Sequence, residues 1–149
     1  MRFLDGLLRG LMGANIGGKV TLDASLAINT GRAIPVIGLG VYQVNPGLPT
    51  EDAVAWALDA GYRHIDTAVI YHNENSVGQA IQRSGLPREE IFVTTKLTPQ
   101  YQKASVGNPN DLKMSLLRLG MDYVDLYLVH FPSNHPQVRK ETWQMMEQL

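Results

Sequence analysis

Apolar and polar positions change period several times along this chain, and each change marks an element. Val36 to Val41 is apolar and predicts a first core strand. Pro49-Thr50-Glu51-Asp52 opens a helix that runs to about Ala60, where Gly61 ends it. Val54, Ala57 and Leu58 fall on one face of that helix, at i, i+3, i+4 spacing. Arg63 to Asp66 predicts the second strand. Asn73 is placed to cap the next helix, whose inward positions are Val77, Ala80 and Ile81. Ile91 to Lys96 predicts the third strand. A loop holding Gly107, Asn108 and Pro109 leads into a helix from about Asn110 to Leu119, closed by Gly120. Tyr123 to His130 predicts the fourth strand, and Pro136 starts a last helix expected to be still running at Leu149. Ahead of the first core strand, Val20-Thr21-Leu22 and Ala33-Ile34-Pro35 flank Asn29-Thr30-Gly31, turn chemistry that predicts a short hairpin.

A hairpin followed by four βα units is an α/β pattern, which implies a parallel sheet with right-handed crossovers. Four units are too few to close a (β/α)₈ barrel, which typically takes about 250 residues. The chain therefore reads as the first half of something larger. Residues 1–20 stand apart. Phe3, Leu4, Leu7, Leu8, Leu11 and Met12 repeat at helical spacing, but Gly6, Gly10 and Gly13 interrupt them. Each glycine weakens a helix by about 1 kcal/mol relative to Ala. A poorly ordered extension or a short helix is expected there. Asp5 and Arg9 break the apolar run that a secretory signal needs.

Composition narrows the function classes. The 149 residues suit one domain, with 44% hydrophobic and 18% charged residues and a formal net charge of -1. No basic patch points to nucleic acid. The chain has no Cys, which excludes disulfides, redox thiols and thiolate metal sites and fits a cytoplasmic protein. No apolar run approaches the length of a membrane span.

The candidate chemistry lies at strand ends. Asp66 ends the second strand and Tyr71 sits in the loop behind it, Lys96 ends the third strand, and His130 ends the fourth. In parallel α/β sheets, active sites gather at the C-terminal ends of strands. Taken singly, each residue has a plain structural reading. Asp66 could be a solvated loop carboxylate or a helix cap, Lys96 a lysine snorkelling to water, His130 a satisfied core histidine and Tyr71 loop packing. Those readings do not predict that all four share one rim. The pairing of His64 with Asp66 on one face of the strand strengthens the functional reading.

An acid, a phenol, an ammonium and an imidazole can together polarise and protonate a carbonyl. A free phenol ionises at about pH 10, too high for an efficient acid near neutrality, and a nearby ammonium favours its ionised form. No nucleophile–base pair of the hydrolase type is visible at the rim. No Walker pattern or complete G-x-G-x-x-G is present, and Gly38-Leu39-Gly40 is only a fragment of a glycine-rich loop. Two rivals remain: a metal hydrolase using His64, Asp66 and His130 as ligands, and a non-catalytic regulatory or degenerate subunit.

Five stretches carry a resemblance. They are Ile37-Gly38-Leu39-Gly40-Val41-Tyr42, Gly61-Tyr62-Arg63-His64-Ile65-Asp66-Thr67-Ala68, Tyr71-His72-Asn73-Glu74-Asn75-Ser76-Val77-Gly78, Phe92-Val93-Thr94-Thr95-Lys96-Leu97, and Leu117 through His130. In order and spacing they resemble the aldo-keto reductases, over roughly residues 21–149. The resemblance implies the first half of a (β/α)₈ TIM barrel, with the hairpin as a plug at the barrel bottom. It implies NADPH-dependent reduction of an aldehyde or ketone, a small carbonyl substrate and no metal. It implies Tyr71 as proton donor, Lys96 and Asp66 as the pair that tune it, and His130 as the group that orients the substrate. Gly40, Val41, Tyr42 and Asp66 would lie beside the cofactor, and Tyr42, His130 and Phe131 beside the substrate.

The chain also departs from the family pattern. Phe131 and Tyr42 stand where Trp is common, and the loop from Thr98 to Asn108 lacks the usual Trp after Lys-Leu. The family's later strands supply most nicotinamide and phosphate contacts. A half-barrel would leave two open sheet edges, and self-association through them is expected.

Overall fold

A computed structural model describes residues 21–98 and 108–149 of the protein. The expectations for residues 1–20 and for most of the 98–108 loop fall outside the described residues. Strands β1 (Ser25–Ala27) and β2 (Ala33–Pro35) form the hairpin, with Ser25 opposite Pro35 and Ala27 opposite Ala33. The first arm lies further along than Thr21-Leu22, where it was predicted. Its loop is tighter than expected: Ile28 N–H bonds to Arg32 O at 2.9 Å and Gly31 N–H to Ile28 O at 3.0 Å. Thr21 instead starts a separate turn, closed by Ala24 N–H to its carbonyl at 3.0 Å.

The core sheet has four parallel strands in chain order: β3 (Leu39–Gly40), β4 (His64–Asp66), β5 (Phe92–Leu97) and β6 (Leu126–Val129). Strand β3 is much shorter than the predicted Val36–Val41. Val36 is held back to the hairpin, its N–H bonding to Ala24 O at 2.9 Å. Gly38 then passes over the His64 ring so closely that a Cβ would lie 2.8 Å from it. Strand β6 starts three residues later than predicted, because the Tyr123 carbonyl accepts from Arg88 Nη2 at 3.1 Å instead of joining a ladder.

Helices α1 (Leu48–Asp59), α2 (Glu74–Ser84), α3 (Asn110–Leu119) and α4 (Pro136–Met146) follow β3 to β6 in turn. Gly85 and Gly120 stop α2 and α3 in left-handed conformations, with φ of 68° and 65°. Helix α4 ends at Met146 and does not run on to Leu149. Its last residues tighten into three-residue bonds, Gln148 N–H to Met145 O and Leu149 N–H to Met146 O. Val54, Leu58, Val77, Ala80, Ile81 and Leu119 from the helices pack on Val41, Ile65, Ile91 and Val93. No helix among the described residues is long and apolar enough to cross a membrane.

Three features fix the frame. Gly78 of α2 lies against α3 so tightly that a Cβ would come 2.0 Å from the Leu119 carbonyl oxygen. Buried Glu74 beside it accepts from Thr95 Oγ1 at 2.7 Å and from Arg118 Nε at 2.5 Å, joining β5, α2 and α3. At the N-terminal end of the strands, buried Asp125 accepts from Val93 N–H at 2.9 Å and from Arg88 Nη2 at 2.8 Å. It also pairs with Arg32 of the hairpin at 2.6 Å.

Candidate active site at the C-terminal rim

Asp66 is the last residue of β4 and pairs across the sheet with Gly40 and Thr94. Lys96 stands on β5 opposite Leu128 of β6. Beyond β4, Val69–Tyr71 forms one 3₁₀ turn, closed by Tyr71 N–H to Ala68 O at 3.0 Å. These elements bring Asp66, Tyr71 and Lys96 together. The Lys96 ammonium donates to Asp66 Oδ1 at 2.6 Å, to the Thr67 carbonyl at 3.0 Å and to the Tyr71 hydroxyl at 3.3 Å. An ammonium has three N–H donors, so all three are engaged. The Lys96 side chain is 13% exposed and the Asp66 side chain 34%. The pair is shielded yet opens to one side.

His130 follows β6, and its N–H bonds to Leu97 O at 3.3 Å. Its ring meets Tyr71 edge to face, with centroids 5.5 Å apart and planes at 90°. Burial holds the His130 imidazole below its ordinary pKa, and the Lys96 ammonium pushes the same way against Asp66. The ring is therefore neutral at pH 7. Nδ1 is buried without a partner among the described residues, so the tautomer carrying hydrogen on Nε2 leaves no buried donor unmet.

An aromatic wall surrounds these groups. Tyr42 packs on Tyr71 with centroids 5.0 Å apart, and Phe131 packs on His130 at 4.4 Å. Tyr42 is 63% exposed and Phe131 52%, so both present faces to solvent at the rim. Gly40 has open space where a side chain would project, next to Asp66. Val41 is placed differently. It is fully buried in the core, its N–H bonds to Asp66 O, and its carbonyl accepts from Val44 N–H and Asn73 Nδ2.

His64 does not join the rim group. Its Nε2 lies 3.0 Å from Thr94 Oγ1 and its ring packs edge-on to Phe92, below Asp66 and under Gly38. No group of three His, Asp or Glu able to hold a metal occurs among the described residues. The ligand set His64, Asp66 and His130 does not converge.

Asn73 was expected to cap α2. It occupies the N-cap position but makes no side-chain capping bond. Its side chain turns inward, accepting from Thr67 Oγ1 at 2.9 Å and donating to Val41 O at 2.9 Å and Val44 O at 3.1 Å. Sequence reasoning missed this role, since Asn before an amphipathic helix reads as a cap.

Parallel strands with helices between them, and polar groups converging beyond the strands' C-terminal ends, define an α/β protein with its site at the strand rim, the class that includes the (β/α) barrels. The chain belongs to the aldo/keto reductase family, whose model matches residues 37–149. It is 57% identical over 109 residues to glycerol 2-dehydrogenase (NADP(+)) of Saccharomyces cerevisiae, covering 72% of this chain and 33% of that protein. It is 45% identical over 119 residues to 9,11-endoperoxide prostaglandin H2 reductase of Trypanosoma cruzi, covering 78% of this chain and 40% of that protein. Among solved structures it is similar to an aldo/keto reductase from Brucella melitensis, with a TM-score of 0.75 at 45% identity, covering 85% of this chain and 48% of that one. It is also similar to a Bombyx mori aldo-keto reductase in complex with NADP, with a TM-score of 0.69 at 39% identity, covering 84% and 46%. The chain thus spans less than half the length of these relatives. Its hairpin and four βα units correspond to the first half of a (β/α)₈ barrel.

Proposed function

We infer that this chain carries the acid/base centre of an NADPH-dependent reductase of aldehydes or ketones. The observation that supports it is the single ammonium of Lys96 bonded at once to Asp66, the Thr67 carbonyl and the Tyr71 hydroxyl, with the His130 ring packed edge to face against the phenol. In this reading residues 21–149 are the N-terminal half of the barrel and residues 1–20 an extension ahead of it. The NADP in the Bombyx mori relative and the cofactor in the yeast relative's name support the cofactor choice. The open space at Gly40 beside Asp66 and the exposed ring of Tyr42 beside Tyr71 fit a flat ring held at the rim.

Gly40, Tyr42 and Asp66 would hold the nicotinamide end, with Val41 supporting them from the core. Bound NADPH would supply a hydride to the carbonyl carbon. The neutral His130 ring donates from Nε2 to the carbonyl oxygen and fixes its direction. Tyr71 gives its hydroxyl proton to the same oxygen as the carbonyl electron pair moves onto it, which yields the alcohol. The negative charge left on the phenol oxygen sits beside the Lys96 ammonium, already in place before reaction. Asp66 holds that ammonium and balances its charge. Tyr42 and Phe131 form the apolar wall for the substrate.

Tyr71→Phe tests the assignment. A positioned general acid typically contributes about 10²- to 10⁴-fold. NADPH oxidation with benzaldehyde should fall by about that factor, while NADPH binding stays nearly unchanged because the phenol acts on the developing alkoxide. Full activity in the Phe variant removes Tyr71 from the mechanism.

A further inference from the structure

The Tyr42 and Tyr71 rings belong to different loops, and each loop contains a non-glycine residue in the left-handed region. Gln43 has φ 63° and directly follows Tyr42; His72 has φ 57° and directly follows Tyr71. They are the only such residues among those described. Side chains disfavour this region, and residues held there cluster at functional sites where surrounding structure over-determines them. One side chain links the two loops. The Val41–Val44 turn closes through Val44 N–H to Val41 O at 3.2 Å, and Gln43 occupies the third position, where Gly or Asn is usual. The Asn73 amide nitrogen donates to both ends of that turn, Val41 O and Val44 O. Asn73 itself directly follows His72.

The other end of the amide reaches the ammonium site. Asn73 Oδ1 accepts from the Thr67 hydroxyl, and the Thr67 carbonyl accepts from Lys96 Nζ at 3.0 Å. Asn73 is 0% exposed, both of its N–H donors are used and its oxygen is bonded. A helix cap would use none of these partners. The amide therefore joins three things: the turn that presents Tyr42, the loop that presents Tyr71, and the residue that holds Lys96.

We propose that Asn73 is a positioning residue for the Tyr71 acid, its buried amide locking the Tyr71 loop to the Tyr42 turn and so setting the phenol against the Lys96 ammonium. It touches neither substrate nor cofactor. This rests on the reductase reading for its effect on rate, though not for its effect on geometry. A displacement of about 1 Å in an active-site group can cost about 10²-fold in rate, so small slips in this lock are visible.

The test uses the full chain in five forms: wild type, Asn73→Asp, Asn73→Ala, Gln43→Gly with His72→Gly, and those two glycines combined with Asn73→Ala. Asp keeps the shape and the Thr67 bond and removes both donors. The glycines relieve the left-handed residues without touching the amide. Two readouts are taken. One is the NMR signal of the ¹³C-labelled Lys96 ε-methylene, displaced by the Tyr71 ring, whose centroid lies 5.0 Å from Nζ. The other is kcat and KM for NADPH and benzaldehyde. In Asn73→Asp and Asn73→Ala the Lys96 signal should move toward that of free lysine. Their kcat should fall at least about tenfold, with both KM values within about threefold. The glycine pair alone should match wild type. The combined variant should regain stability over Asn73→Ala and still show the signal moved toward free lysine, with the low kcat.

The proposal is overturned if folded Asn73 variants keep the wild-type Lys96 signal, or if the combined variant regains it. It is equally overturned if the glycine pair alone displaces it. Failure of all three Asn73 variants to fold would make Asn73 a purely structural residue and also overturn it. If wild type oxidises no NADPH, the reductase reading fails for this chain, while the Lys96 signal still decides the geometry.

Discussion

His64 and Asp66 leave the same face of β4, two residues apart, and meet different surroundings. Asp66 opens to the rim beside Lys96, whereas His64 sits beneath Gly38 against Phe92. Burial holds the His64 imidazole below its ordinary pKa, opposed by a hydrogen bond with the Pro35 carbonyl and by Asp66. His130 is lowered too, again chiefly by burial. A lowered folded pKa means the fold favours the neutral ring, so the unfolded chain binds the proton first as pH falls. Stability from these rings is complete above about pH 6.5, the unfolded value, and is lost as pH falls from there toward the depressed folded values. Urea unfolding at about pH 7 and about pH 5 should therefore show a weaker fold at the lower pH. His64→Gln should flatten that difference, by at most about 1.4 kcal/mol per pH unit for one proton. An unchanged pH slope in the variant would show that His64 already protonates freely in the fold. At this scale, the grouping of Asp66, Tyr71, Lys96 and His130 was legible because all four fall at, or just past, the ends of neighbouring parallel strands and so share one rim. Asn73 was not, because an inward-turned amide and a helix cap look the same in one dimension.

Helices were easier to read than strands. Helices α1 and α3 fall within a residue or so of their predicted limits, since a glycine follows the apolar stripe in each. The strands came out shorter wherever an end residue found a partner outside the sheet: Val36 in the hairpin, and the Tyr123 carbonyl with Arg88. Such long-range bonds leave no periodic trace. The approach of α2 to α3 was equally invisible, although it rests on one residue. A Cβ at Gly78 would meet a backbone carbonyl at 2.0 Å, and backbone cannot rotate away. Overpacking of this kind costs about 1–3 kcal/mol and sometimes more. Gly78→Ala should lower stability by at least the upper part of that range, read as a drop in the urea midpoint. It should also strain the Glu74–Arg118 bond one turn away. A variant as stable as wild type would mean that α3 can slide on α2.

The molecule as a whole presents two sheet edges among its described residues, on β3 and β6. Trp56, Leu117 and Trp143 are 70%, 65% and 58% exposed on the helices outside that sheet. Unpaired edges and large exposed apolar groups both favour association. The isolated 149-residue chain should accordingly sediment as a dimer or larger, in proportion to concentration; a monodisperse monomer at high concentration would count against this. The opposite end of the sheet has a different consequence. Arg32 belongs to the hairpin and Asp125 to the approach to β6, so their pairing closes a loop that contains the first three βα units. Closing so long a loop is favoured only once the intervening strands are in place. The pair should thus form after the rate-limiting step of folding and break before that of unfolding. Arg32 is 45% exposed, which confines the pair to the modest range of surface ion pairs, about 0–1 kcal/mol. Arg32→Ala should then leave the refolding rate unchanged and raise the unfolding rate by up to about fivefold in stopped-flow measurements. The buried carboxylate at the base of the sheet acts as a latch on time: it sets how long the folded chain persists, not how quickly it is made.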